Sequence, residues 1–125
     1  MILVDTSVWV DHLRAGDDEL VRLLTGLSVL VHPFVVGELA CGNIYNRAEV
    51  LKLLSDLPST ISATDSEALF FIEQHQLMGR GIGYIDAHLL AAVSLTSPAL
   101  LWTRDRRLAR IAHELGLAYR SVATS

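Results

Sequence analysis

The chain has 125 residues, 51% of them hydrophobic, and carries 10 lysines and arginines against 14 aspartates and glutamates, for a formal net charge of −4. A chain of this length buries about two-thirds of its unfolded surface and needs no covalent staple, and its single cysteine, Cys41, excludes an internal disulfide. The acidic balance excludes a broadly basic nucleic-acid coat but leaves room for a local positive patch.

A lone thiol is most often a small core residue in a reducing compartment, so Cys41 is expected in the interior and the protein in the cytoplasm. The apolar start lacks a basic leader and is interrupted by Asp5 and Asp11, and no apolar run reaches the length of a membrane span. The expectation is one domain over residues 1–125, no membrane association and no processing.

Taken in chain order, Ile2 to Asp5 reads as a buried strand, followed by two short helices. Val8, Trp9 and Leu13 give the apolar stripe of the first, and Leu20, Leu23, Leu24 and Leu27 that of the second, after the acidic break Gly16 to Glu19. Val29 to His32 is a second strand. Pro33 opens a helix that Gly42 closes, and a further helix covers Arg47 to Leu57. Thr60 to Ala63 reads as a strand, Ser66 to Met78 and Tyr84 to Ser94 as helices, Leu100 to Thr103 as a strand, Arg106 to Leu115 as a helix and Ala118 to Val122 as a last strand. Strands alternating with helices predict an α/β fold with a mainly parallel sheet, and such sheets hold ligands beyond the carboxyl ends of their strands.

Asp5 and Asp105 follow two of these strands. Glu38 lies in PFVVGELAC and Asp86 in GYIDAHLLAAV, where an acid is costly unless paired, hydrogen-bonded or bound to metal. Each has a plain alternative. Taken singly, Asp5 and Asp105 are most simply helix caps, worth about 1 kcal/mol each; Thr6 can equally cap the first helix. Asp86 suits the positive end of its helix, and Glu38 divides evenly between an exposed strip and a functional place. Convergence changes the balance, because two like charges about 4 Å apart repel by roughly 4 kcal/mol at an effective dielectric near 20. With few basic residues near these acids in sequence, a divalent cation is the natural counter-charge, and all-oxygen ligands suit Mg²⁺ or Mn²⁺ rather than zinc.

The segments DTS (Asp5 to Ser7), ELACG (Glu38 to Gly42), IDAHLLAA (Ile85 to Ala92) and TRDRRL (Thr103 to Leu108), in this order and spanning nearly the whole chain, resemble the four acidic motifs of the PIN domain, specifically the VapC-type toxins. The resemblance implies a three-layer α/β/α sandwich and an Mg²⁺- or Mn²⁺-dependent endoribonuclease restrained by a cognate VapB-type antitoxin. It also implies homodimers and RNA products with 5′-phosphate and 3′-hydroxyl ends. Carried over by position, Asp5, Glu38, Asp86 and Asp105 become the catalytic, metal-holding acids, with Ser7 and Thr103 in support. Leu108 departs from the family, which often has an aromatic there.

Arg104, Arg106, Arg107 and Arg110 surround Asp105 and are candidates to guide an RNA backbone, against the plainer reading of a solvated helix face. His12, His32, His75, His88 and His113 lack metal-ligand spacing and read as core or surface residues. Gly79 to Gly83 reads as a helix stop and turn, since it lacks the spacing of a nucleotide loop. Trp9, Leu13, Ile44 and Tyr45 read as core or its edge, and by resemblance the apolar surface of the early helices is the place for an antitoxin. A phosphoacceptor receiver is disfavoured because the only lysine, Lys52, lies in a middle helix. A catalytically inactive PIN-like module that binds RNA or a protein is the remaining alternative; the presence of all four acids counts against it.

Overall fold

The computed structural model describes residues 1–121. Strands β1 (Ile2–Val4), β2 (Val29–Leu30) and β3 (Leu100–Trp102) form an all-parallel sheet in the order β2-β1-β3. Ile2, Leu3 and Val4 are all buried. Successive strand residues point to opposite faces, so burial of all three means that both faces of the sheet are covered, the arrangement of an α/β sandwich with a parallel central sheet.

The helices are α1 (Thr6–Ala15), α2 (Asp18–Thr25), α3 (Pro33–Cys41), α4 (Arg47–Asp56), α5 (Asp65–His75), α6 (Tyr84–Leu95) and α7 (Arg106–Glu114). Local chemistry fixes their starts. Asp17 accepts the Leu20 amide at the head of α2, Pro33 occupies the first turn of α3, and Thr64 and Glu67 form a reciprocal capping box on α5. Every residue of α6 from Ala87 to Val93 is buried, which makes it the most enclosed of these helices. In α7, by contrast, only Leu108, Ile111 and Ala112 are buried, and its arginines lie on the other side.

Two expected strands shrink to single bridges at the sheet margins. In place of the one expected over Thr60 to Ala63 there is only Ser59, just before it, bridged in parallel to Val31. The reason is a diverted amide: Thr60 still donates to the Val31 carbonyl, but the next amide, Ile61, donates to Thr96 Oγ1 at 2.9 Å, which draws the chain off the sheet. The strand expected at Ala118 to Val122 bridges Leu101 at Ala118 alone, while Val122 lies outside the described residues. α5 stops at His75, short of Met78, because Gln76 turns into the left-handed region. Cys41 is exposed, contrary to its expected burial, since it ends α3 on the side that carries Pro33, Phe34 and Glu38. Trp9 is fully buried, Leu13 and Ile44 are half-buried, and Tyr45 is 84% exposed in the link before α4, so it is no core residue. Among the described residues no helix is long and apolar enough to cross a membrane.

β1 is the central strand: the chain leaves it for β2 on one side and later returns to β3 on the other. The carboxyl ends of β1 and β3 thus flank the point where strand order reverses, the usual ligand crevice of an open parallel sheet.

Candidate active site

Asp5 is the first residue past β1, and its amide donates to the Trp102 carbonyl at 2.9 Å, so backbone pairing carries the central strand up to the acid. Although it sits at the cap position of α1, its side chain makes no capping bond. Its Oδ2 instead accepts Ser7 Oγ at 2.8 Å and Thr103 Oγ1 at 2.7 Å. Both hydroxyls are themselves oriented: Ser7 Oγ accepts the Arg104 amide at 3.0 Å, and Thr103 Oγ1 accepts the Asp105 amide at 3.1 Å. With an amide donating to each hydroxyl oxygen, the hydroxyl protons are left to point at Asp5, whose carboxylate is buried and held by both.

The other three acids reach the crevice from different elements. Glu38 lies on an exposed part of α3, where Thr6 Oγ1 donates to its Oε1 at 2.7 Å; it is thus not the enclosed acid that its apolar neighbours suggest, because Pro33, Phe34 and Cys41 are exposed with it. Thr6 consequently serves Glu38 instead of capping α1. Asp86, in the first turn of α6, is half-buried and accepts the Gly83 amide at 3.3 Å. Asp105 is exposed and does cap α7, its Oδ1 accepting the amides of Arg107 and Leu108 at 2.9 and 3.0 Å. Cap and site member are compatible for Asp105, since one oxygen does all the capping.

Electrostatics binds the group together. Burial pushes the Asp86 carboxyl above the usual carboxylate range; the Gly83 amide works against this, and the charges of Asp5, Asp105 and Glu38 each push it further up. Among the described residues, none of the four acids is paired with a basic side chain. Nor do three or more His, Cys, Asp or Glu side chains there form a ready-made cage for an ion. The four acids are therefore electrostatically coupled without standing in ligating contact.

The candidate arginines separate. Arg104 is consumed locally: its guanidinium bonds Asp11 at 2.7 Å and Asp17 as well, and lies 5.5 Å over the Trp102 ring. Burial alone would raise Asp17, but the Leu20 amide and the Arg104 guanidinium hold its carboxyl below the ordinary value. Arg107 covers the turn predicted at Gly79 to Gly83, where a Cβ on Gly81 would meet Arg107 Cδ at 2.6 Å. Gly81 has φ +85°, so its backbone conformation calls for glycine there, while the flexible Arg107 side chain can yield to a Cβ. Arg106 and Arg110 line a cleft of about 700 Å³ beside Thr103, joined by His113, Tyr119 and Arg120. Those last three carry no local sequence signal that links them to the site.

Two buried histidines back the site. His88 Nε2 lies 3.2 Å from Asp65 Oδ1, which also accepts the Tyr84 hydroxyl at 2.8 Å, tying the start of α6 to that of α5. The Tyr84 and then the His88 contact hold Asp65 below the usual range. His32 Nδ1 accepts the Phe34 amide at 3.0 Å, and burial, with the nearby charge of His88, pushes His32 down to about 4.

The family model described as the PIN domain matches residues 2–114 of the chain. Ribonuclease VapC32 from Mycobacterium tuberculosis, in strains CDC 1551 / Oshkosh and ATCC 25618 / H37Rv, is 48% identical over 118 residues, covering 94% of this chain and 95% of the relative. The chain belongs to the VapC family of PIN-domain ribonucleases. The matched span takes in Asp5, Glu38, Asp86 and Asp105, and the charges of the other three act on Asp86.

Proposed function

We propose that this VapC-family chain acts in the cytoplasm as a single-domain endoribonuclease toxin, dependent on Mg²⁺ or Mn²⁺. The observation that carries the reading is charge arrangement. Four carboxylates from four separate segments meet electrostatically beyond the central strand, and among the described residues none has a basic partner. The donor set is all oxygen, with no thiol or imidazole bonded to any of the four, which fits a hard divalent cation. Bound there, such an ion supplies counter-charge and acidifies an attacking water.

Asp5, Glu38, Asp86 and Asp105 are the residues that would hold it. Ser7 and Thr103 fix the rotamer of Asp5 through its Oδ2, which leaves Oδ1 without a protein donor among the described residues. Asp86, half-buried and pushed up by burial and by its acidic neighbours, is the acid whose charge gains most from a neighbouring positive ion. Glu38 and Asp105 act from the exposed rim, where an RNA phosphodiester has access.

The partner is a cognate VapB-type antitoxin. A groove of about 470 Å³ lined by Val10, Leu13, Ile44 and Tyr45 offers apolar surface for its tail. Exposed Leu69 and Phe70 on α5 supply apolar surface for the homodimer.

The test is RNA cleavage by the purified chain with Mg²⁺ or Mn²⁺. Wild type cuts and EDTA abolishes cutting. Asp5→Asn and Asp86→Asn each lower the rate by at least about 100-fold while retaining the fold. Equal rates in wild type and variants would sink the assignment, and RNA binding without cutting would favour an inactive module.

A further inference from the structure

We infer that the cleft between α7 and the segment Ala118–Arg120 is the track along which the RNA strand's phosphates lie when its scissile linkage is at the acids. The inference rests on the ribonuclease reading and deepens it. The cleft is the most voluminous of the cavities described, about 700 Å³, and no aspartate or glutamate lines it. Thr103, which holds Asp5, is also one of its walls, so the cleft opens beside the acids.

Three of its four arginines stand outside any ion pair, although the Arg110 charge also acts on Glu114. Arg14, Arg22, Lys52, Arg80 and Arg104 each form an ion pair with a carboxylate, whereas among the described residues Arg47, Arg106, Arg107, Arg110 and Arg120 form none. Glu114, the acid on the same helix, is held by both terminal nitrogens of the Arg80 guanidinium, at 3.1 and 2.8 Å. Three of the five unpaired guanidinium groups of this acidic protein thus line the one cleft. Arg106 and Arg110 stand one helical turn apart, about 6 Å along the axis, which matches the scale of successive phosphates on a single strand.

The opposite wall is built to stay in place. Tyr119 Oη donates to Glu19, and the Tyr119 ring lies 5.5 Å from that of Trp102, so the segment carrying Arg120 is fastened to α2 and β3. Arg120 Nη2 lies 3.2 Å from His113 Nδ1, which aligns the guanidinium across the cleft. Arg104 also borders the cleft, but its charge is already matched by Asp11 and Asp17. The free guanidinium groups therefore select a polyanion, and the neighbouring acids select one with a linkage to cut.

The experiment measures affinity of the full chain for a short fluorescein-labelled single-stranded RNA in EDTA as salt is varied. Arg110→Ala/Arg120→Ala is expected to lower the slope of log K against log salt by about 1.4, from about 0.7 per lost phosphate contact. Under cleavage conditions it is expected to raise KM with kcat unchanged. Arg110→Lys/Arg120→Lys restores most of the slope, and Lys52→Ala, on α4, leaves it unaltered. Affinity and slope equal to wild type in the alanine variant would overturn the inference. A lowered slope, with cleavage unaffected by Asp86→Asn, would retain the track and reject the ribonuclease assignment instead.

Discussion

Two groups of acids lie close together in this fold and are treated in opposite ways. Asp11 and Asp17 share the guanidinium of Arg104, which is also stacked over Trp102, so their charge is spent inside the protein. Asp5 and Asp105 flank the same β3–α7 link yet receive only hydroxyl and amide protons, and with Glu38 and Asp86 they face one another without a basic partner among the described residues. Arg104 is a direct neighbour of both Thr103 and Asp105, so a cation is within the same link but committed elsewhere. On the proposed function, the difference separates carboxylates that hold the fold from carboxylates kept available for an external cation.

The largest way to break this comparison is in activity. Neutralising a site acid, as in Asp86→Asn, should cost at least about 100-fold in RNA cleavage, whereas Asp11→Asn should leave the rate within a few-fold of wild type.

An acid titration sharpens it. His32 is held at about 4 by burial and His88, below its unfolded value of 6.5. The unfolded chain therefore binds the proton first, and stability falls as pH drops from 6.5 to about 4, by roughly 3 kcal/mol. Denaturant unfolding across that window should show the loss, and His32→Phe should flatten it. Asp17, held below its ordinary 3.8, contributes stability that is present above pH 3.8 and vanishes only as the pH falls further through its folded value.

Smaller effects on stability should carry opposite signs. Arg104→Ala leaves Asp11 and Asp17 without their shared cation and is expected to destabilise by about 2 kcal/mol in chemical denaturation. Asp86→Asn removes a half-buried carboxylate from beside three others. In EDTA it is expected to stabilise slightly, since a raised acid costs stability at neutral pH.

Much of this was legible from the chain alone, for definite reasons. The three paired strands are short apolar runs, and the helices carry their own starts, such as Pro33 and the Thr64–Glu67 box. The four acids stood out because they interrupt apolar runs or follow strands. What was hidden depends on long-range partners. Arg104 looked like a substrate arginine because Asp11 and Asp17 lie 93 and 87 residues away. Arg120 and Tyr119 join the α7 cleft only once Ala118 has bridged to β3. Asp5 reads locally as a cap, and only the approach of Thr103, 98 residues on, shows where its carboxylate is held. The exposure of Cys41 and Tyr45 was likewise decided by what does not pack against them.

The central claim is that the uncompensated acids take up a divalent cation. Thermal unfolding of wild type and Asp86→Asn, each titrated with Mn²⁺ after EDTA treatment, tests it directly. Wild type should gain stability with Mn²⁺, reaching about 2.7 kcal/mol at a hundredfold excess over Kd, while the variant gains much less. Equal responses to Mn²⁺ in the two proteins, or no response in either, would contradict the account.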